Sequence, residues 1–283
     1  MSVIKYLDKL ENLEGKEIIV TGGTSGIGLS IVQELLYKHA DVVILARDKN
    51  KAKEVKKLLE KDYPKSNISF IFYDQSDLVS IDEAIKEIEI NHPSFYALIF
   101  NAGTYSRVKY NEELSPTMKT NFVGTAYFVK QLLPRLKGQH RLILQGSLVA
   151  GIHIKKIKSL EEKTRYLGQY NISKAGVEAL YYHYSNIDTG ETSFYLIEPG
   201  LTSTDIVRYL PTPIRQIGKL FLKIISHSNK KAALTALLAL QSYVTPSYIV
   251  PRSLFTVRGY PKIKKFPKKR QRTYLLDLLD KYI

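Results

Sequence analysis

The chain has no cysteine among its 283 residues. That excludes disulfides, thiolate catalysis and thiolate metal sites. Histidine is sparse and scattered: His39, His92, His140, His153, His183 and His227 contain no pair at a metal-ligand spacing. No metal is expected, and these six are read as structural or surface residues. The first residues carry Lys5, Asp8, Lys9 and Glu11 without an apolar core, unlike a signal peptide. Long apolar runs are missing too. Ala232–Leu240, among the longest, is too short to span a bilayer. These absences predict a cytoplasmic protein. Acidic residues are scarce at one end only. From Leu201 to Ile283 there are 16 Lys or Arg against 3 Asp or Glu, a balance of +13. The first 200 residues hold 26 and 24, so the net charge of +15 belongs to the last third.

What is present is an ordered alternation of strands and helices. Residues 1–15 read as an amphipathic lead-in with Ile4, Leu7 and Leu10 on one side. Glu17–Thr21 is a β-branched run and predicts a strand. TGGTSGIG follows at 21–28, and Ile27–Lys38 has helical periodicity through Ile27, Ile31 and Leu35. A strand, a glycine turn and a helix in that order form a dinucleotide-binding opening. Gly22 permits the tight turn, Gly26 lets the backbone approach a pyrophosphate, and Gly28 lets helix and strand pack closely. Thr24, Ser25 and Ile27 complete the loop. The helix N-terminus offers free N–H groups and a positive dipole end to phosphates.

The second strand, Asp41–Leu45, ends in Ala46-Arg47-Asp48. An acidic residue near this strand end suits the ribose hydroxyl of NAD, whereas an arginine suits the 2′-phosphate of NADP. Ala46 fills the acidic position and Arg47 follows, so NADP(H) is expected over NAD(H). Asp48 is read as the cap of a helix over Lys49–Glu60. The third strand, Ile68–Phe72, leads to Tyr73-Asp74-Gln75. Asp74 either contacts the adenine or starts the turn before a helix at Ser80–Ile90. The fourth strand, Phe95–Phe100, runs into Asn101-Ala102-Gly103. A helix over Ser115–Leu136 contains Asn121. The fifth strand, Arg141–Gln145, ends at Gly146-Ser147. After a loop, a helix reaching Tyr184 carries Tyr170 and Lys174 one turn apart on one face. The sixth strand, Ser193–Ile197, ends in Glu198-Pro199-Gly200.

Six alternations predict an α/β protein with a doubly wound parallel sheet, the Rossmann fold. Its ligand crevice lies at the carboxyl ends of the strands. A free tyrosine is a poor acid or base at neutral pH, and an ammonium beside it favours the phenolate. Tyr170 with Lys174 therefore suits proton transfer, although a lone pair at this spacing is as easily a buried Tyr and a solvated Lys.

Together these segments resemble the short-chain dehydrogenase/reductase family. The resemblance rests on TGxxxGIG at 21–28, NAG at 101–103, the helical Asn121, Ser147, YxxxK at 170–174 and the Pro-Gly turn at 199–200. It covers about residues 15–205. The Arg47-Asp48 ending, the long loop before Tyr170, Tyr166, and Arg258-Gly259-Tyr260-Pro261 before a final helix look like the retinol-dehydrogenase-like branch.

The resemblance implies hydride transfer between a nicotinamide cofactor and an alcohol or carbonyl substrate, with a lipophilic one expected. Tyr170 would exchange the proton with the substrate oxygen. Lys174 would lower the Tyr170 pKa and bond the nicotinamide ribose, and Ser147 would bond the substrate oxygen. Asn121 would hold a water linking Lys174 to solvent. Gly22, Thr24, Ser25, Gly26, Ile27, Gly28, Arg47, Asp74, Gln75, Asn101, Ala102, Gly103, Pro199, Gly200, Thr202 and Thr204 would join Tyr170 and Lys174 around the cofactor. Thr202 and Thr204 stand where the family usually has Val and Thr, and Gly146 stands where a second serine is common.

One domain is expected over residues 1–283, with a variable substrate lid at 203–228 and a basic segment at 258–283. In the lid, Ile214, Ile217, Phe221, Ile224 and Ile225 share one helical face, and Arg215, Lys219 and Lys223 share the other. Such a helix covers a substrate or lies on an anionic membrane surface. Lys262, Lys264, Lys265, Lys268, Lys269, Arg270 and Arg272 form a second basic cluster. Weak, salt-sensitive membrane association is expected, and no nucleic acid, because no reading motif accompanies the charge. Helices at 115–136 and 166–184, with the small Ala175 and Ala179, permit a homodimer or homotetramer. Two other readings stand beside the oxidoreductase: an epimerase or dehydratase, disfavoured by the glycine spacing, and a cofactor-binding regulator or scaffold, disfavoured by the complete set of catalytic residues.

Overall fold

The computed structural model describes residues 1–108, 113–151, 156–162, 164, 166–202, 227–253 and 256–283. The chain opens with a one-turn helix, α1 (Val3–Leu7), and then alternates β1 (Glu17–Thr21), α2 (Gly26–Tyr37), β2 (Asp41–Ala46), α3 (Lys49–Asp62), β3 (Ile68–Phe72), α4 (Leu78–Asn91) and β4 (Ala97–Phe100). Next come α5 (residues 116–132), β5 (Arg141–Gln145), α6 (Tyr166–Tyr184) and β6 (Ser193–Ile197). The remainder supplies α7 (Asn229–Gln241), β7 (Ser247–Pro251), β8 (Pro261–Lys264) and a short α8 (Tyr274–Asp277). All eight strands form one sheet in the order β3-β2-β1-β4-β5-β6-β7-β8. Every neighbouring pair is parallel except β7 with β8.

The strands read as continuous apolar runs because both faces of the sheet are covered. Successive residues go to opposite layers. Ile19, Leu98, Leu142 and Leu196 pack with α4, α5 and α6, whereas Ile18, Ile99, Ile143 and Ile197 pack with α2, α3 and α7. The expected Rossmann architecture is therefore present. The alternation also runs beyond β6. The apolar run Ala232–Leu240, too short to span a bilayer, forms the body of α7, which lies against α2. Among the described residues, no helix is long and apolar enough to cross a membrane.

Local chemistry accounts for most helix starts. The Asp48 carboxylate accepts from the Asn50 and Lys51 amides at 2.9 and 3.0 Å, so Asp48 is the cap of α3. Such a cap contributes about 1 kcal/mol. Asp77 does the same for α4 through Val79. That helix therefore begins at Leu78, two residues before the position its apolar spacing suggests, and Asp74 starts the turn that leads into it, its carbonyl accepting from the Asp77 amide at 3.1 Å. Two expectations fail. Ile4 is exposed while Leu7 is buried, because α1 is a single turn and has no continuous apolar face. Ala175 and Ala179 are wholly buried in the chain's own core and present nothing to a partner. The final helix is only four residues long, with Leu275 and Leu279 packed into the layer that contains α5 and α6.

Candidate active site

The glycine turn closes on the strand beside it. Gly22 has φ +69° and Gly26 has φ +56°, both in the left-handed region where a side chain is strained. A Cβ on Gly28 would stand 2.3 Å from the Gly22 carbonyl oxygen and 2.4 Å from Asn101 Nδ2, so no side chain fits there. The Asn101 amide donates to the Thr21 and Gly22 carbonyls at 2.9 and 3.3 Å. Thr21 Oγ1 accepts from the Ala102 amide at 2.9 Å. Asn101 thus ties the turn after β4 to the turn after β1. At the N-terminus of the twelve-residue α2, the Ser25 side chain makes no capping bond. Nothing lies within 4 Å of the Cβ position of Gly26. Free amides, a positive dipole end and open space at Gly26 fit a dinucleotide pyrophosphate.

Asn121 lies in a π-turn, Lys119–Val123, that interrupts α5 between Pro116–Met118 and Gly124–Leu132. Turns of this kind recur at functional sites. Its buried side chain is fully used: Oδ1 accepts from the Thr104 amide at 2.7 Å, and Nδ2 donates to Thr104 O at 2.9 Å and Ser173 Oγ at 3.0 Å. A Cβ on Gly103 would meet Asn121 Oδ1 at 3.2 Å and Lys174 Nζ at 3.5 Å. Gly103 is therefore closely flanked by the Asn121 amide oxygen and the Lys174 ammonium.

Tyr170 and Lys174 share a face of α6, as their spacing predicts. The Tyr170 phenol is half-buried, hydrogen-bonded with Ser147, and edge-on to Tyr105 with ring centroids 5.7 Å apart. Lys174 is only 4% exposed, and its Nζ donates to the Gln145 carbonyl at 2.8 Å. Burial pulls the Lys174 ammonium down to about 8, against the support of Glu178. Burial raises the Tyr170 phenol above its ordinary value, and the group that opposes the rise is Ser147. The expected lowering of Tyr170 by Lys174 is thus not what governs the phenol. Desolvation outweighs the neighbouring charge.

Other expected contacts divide. Arg47 extends into solvent, with Nη1 3.8 Å from Asp74 Oδ2. Asp74 Oδ1 accepts from the Ser76 amide and hydroxyl at 2.9 and 2.7 Å. The Gln75 side chain is spent inside the protein, donating to Thr120 O at 2.7 Å and Thr125 Oγ1 at 2.9 Å. It is a strut between the end of β3 and α5, leaving only its backbone for a ligand. Pro199 O accepts from His227 Nε2 at 2.6 Å, and Gly200 has φ +77°. Thr202 bridges to His227. Thr204 and the lid segment from 203 to 226, with its apolar and basic faces, lie outside the described residues.

The basic cluster is not a uniform solvated face. Lys264, Lys265, Lys268 and Lys269 are exposed, but Arg270 is 6% exposed and bound to Glu178 and Glu198. Arg272 donates to the Ala150 carbonyl at 2.9 Å. Tyr105, Ser173, Glu178 and Glu198 also surround the site without having been assigned a role from sequence. Only Glu178, four residues after Lys174 on a helix, had a spacing that could have drawn notice. A separate cavity of about 690 Å³, lined by Asp8, Tyr37, His39 and Tyr63 among others, contains none of the candidate catalytic groups.

A family model described as short chain dehydrogenase matches residues 16–214. A fatty acyl-CoA reductase from Acinetobacter baylyi is 30% identical over 221 residues, covering 71% of this chain and 70% of that protein. The short chain dehydrogenase resG from Aspergillus sclerotiorum is 32% identical over 129 residues, 44% of this chain and 36% of its own length. The chain thus spans only about a third of that relative. Among solved structures, a short-chain type dehydrogenase/reductase from Mycobacterium ulcerans aligns with TM-score 0.69 at 20% identity, covering 89% of this chain and 93% of the other. The Pseudomonas aeruginosa RhlG/NADP active-site complex aligns with TM-score 0.64 at 23% identity, covering 83% and 93%.

Proposed function

The chain belongs to the short-chain dehydrogenase family, and on that premise we propose that it is an NADP-dependent oxidoreductase of a lipophilic alcohol or carbonyl compound. The observation that carries this reading is the convergence of Ser147, Tyr170 and Lys174 beside Asn121 and Gly103. Bound nicotinamide cofactor supplies or accepts the hydride. The chain's own groups do the rest. The α2 N-terminus and the open side of Gly26 receive the phosphates. Ser147 and Tyr170 bind the substrate oxygen, and Tyr170 exchanges the proton with it. Lys174 keeps a positive charge beneath that oxygen, and Asn121 holds the helix turn against the Thr104 backbone. Residues 203–228 would close over the substrate. A lipophilic substrate accords with the apolar residues of that segment and with the fatty acyl-CoA reductase among the relatives. The test is a screen of alcohols and carbonyls of increasing chain length with both cofactors, followed by nicotinamide absorbance. Absence of turnover with every pair would favour the cofactor-binding regulator instead.

NADP preference rests on Arg47. Its exposed guanidinium lies 3.8 Å from Asp74 and is available for a 2′-phosphate. Changing Arg47→Asp should weaken NADP(H) binding by about tenfold or more, the loss of one exposed charge-assisted contact, and leave NAD(H) nearly unaffected. Titration of both cofactors measures this, and equal affinity of the unaltered protein for the two would refute it.

Lys174 also sets a pH limb. Because burial brings its pKa down to about 8, the ammonium is lost sooner than from a free lysine. The rate of carbonyl reduction is expected to fall as pH rises through about 8. A profile that stays level through that value, with the protein still folded, would remove Lys174 from the proton pathway.

A further inference from the structure

One cation from the C-terminal segment reaches beneath the candidate site. Arg270 Nε donates to Glu178 Oε2 at 2.9 Å, and Nη2 reaches both Glu178 Oε1 and Glu198 Oε1. Nη1 donates to the Tyr248 hydroxyl at 2.8 Å, which itself donates to Glu198 Oε1 at 2.8 Å. Nη2 also lies 3.4 Å from the Ser147 carbonyl oxygen. Both carboxylates have zero exposure. Every partner but Tyr248 belongs to an element of the site. Glu178 is one turn beyond Lys174 on α6, Glu198 joins β6 to Pro199-Gly200, Tyr248 is on β7, and Ser147 follows β5. Glu178 also comes up to the end of β5. A Cβ on Gly146 would be in van der Waals contact with Glu178 Oε1, at 3.7 Å, while the preceding residue, Gln145, accepts from Lys174 Nζ.

We propose that Arg270 is a positioning residue, which through Glu178, Glu198 and the Ser147 carbonyl holds Lys174 and the ends of β5 and β6 in their working arrangement. This assignment rests on the function proposed above. A guanidinium suits the task because its planar fork reaches both Glu178 oxygens, Glu198, the Tyr248 hydroxyl and the Ser147 carbonyl at once, more acceptors than the three N–H groups of a lysine can serve. It also sets the charge that Lys174 experiences. Glu178 faces Arg270 and Arg272 from the C-terminal segment, Glu198 from β6, Tyr248 from β7 and Lys174 on its own helix. Burial pushes the Glu178 carboxyl up to about 7, and the Arg270 guanidinium opposes that rise. Without Arg270 the carboxyl takes a proton more readily. Lys174 then loses the negative charge that supports its ammonium, and its pKa falls further.

The experiment follows Lys174 itself, by NMR of isotope-labelled lysine, with its signal assigned by disappearance in Lys174→Met. Its titration midpoint is expected near 8 in the unaltered protein. It should fall by about one pH unit in both Arg270→Met and Glu178→Gln, and recover in part in Arg270→Lys, which keeps the charge without the fork. On the substrate found by the screen, kcat of Arg270→Met should fall about 10²-fold, as for a misplaced catalytic group. If Arg270→Met does not fold, Glu178→Gln and Arg270→Lys carry the test. Midpoints unchanged from the unaltered protein, in variants with native circular dichroism, would overturn the proposal. Shifted midpoints in a protein that turns over no substrate would uphold the link between Arg270 and Lys174 and count against the oxidoreductase reading alone.

Discussion

Replacing Tyr170→Phe should lower kcat by about 10²- to 10⁴-fold, the usual contribution of a positioned acid or base. Cofactor affinity should change little. The substitution deletes one hydroxyl and keeps the ring, so the edge-on contact with Tyr105 at 5.7 Å and the packing of α6 are preserved. What disappears is the hydrogen bond with Ser147 and the exchangeable proton. Burial favours the neutral phenol, so at neutral pH Tyr170 is poised as a donor to a carbonyl oxygen. Reduction should therefore suffer at every pH at which the phenol is protonated. The check is kcat on the best substrate from the screen, beside a cofactor titration. Residual activity within tenfold of the unaltered enzyme would mean that the proton comes from another group.

The second large effect is structural. An alanine at Gly124 would place its Cβ 1.8 Å from the Gln75 carbonyl oxygen and 3.0 Å from its carbon. Both obstacles are backbone, so no rotamer change relieves them. Nor can the elements part easily, because the Gln75 side chain binds Thr120 O and Thr125 Oγ1 on either side of Gly124. Overpacking costs about 1–3 kcal/mol and sometimes more, and here the upper end is expected. For a chain of this size that lowers Tm by roughly 5–10 °C. Turnover should fall with it, since α5 carries Asn121. Gly26→Ala offers a contrast. Nothing stands within 4 Å of that Cβ position, and only the φ of +56° is strained, a cost of about 1–2 kcal/mol. Thermal melts compare the two. A Gly124→Ala protein as stable as the parent would show that the two backbones can separate.

Gly124 marks one limit of what the sequence reveals. The glycines at 22, 26 and 28 are recognisable because a strand, a turn and a helix adjoin within a dozen residues. The cap at Asp48 and the pairing of Tyr170 with Lys174 on one face are local in the same way. Six strands and the helices between them follow from patterns that repeat every two or every three to four residues. With them comes the crevice at the strand ends, and the family resemblance adds the set of residues that converge there.

Other properties depend on which groups end up buried together, and short-range patterning has no bearing on that. Gly124 is pressed against Gln75, 49 residues earlier, and Arg270 binds Glu178, 92 residues away. In one dimension Arg270 is one of seven basic residues in a run. Only the packing turns it inward while Lys268 and Lys269 stay in solvent. Gln75 looks like a ligand contact from its place after a strand, but its amide is used across the fold. The electrostatics of the pair escape local patterning for the same reason. Spacing brings Lys174 near Tyr170, but desolvation depends on every element around them, and here it dominates both groups. The sequence by itself determined the architecture and the candidate groups of the site. The tertiary structure decided which of them are desolvated and which distant residue reaches them, because burial and long-range pairing exist only once the chain is packed.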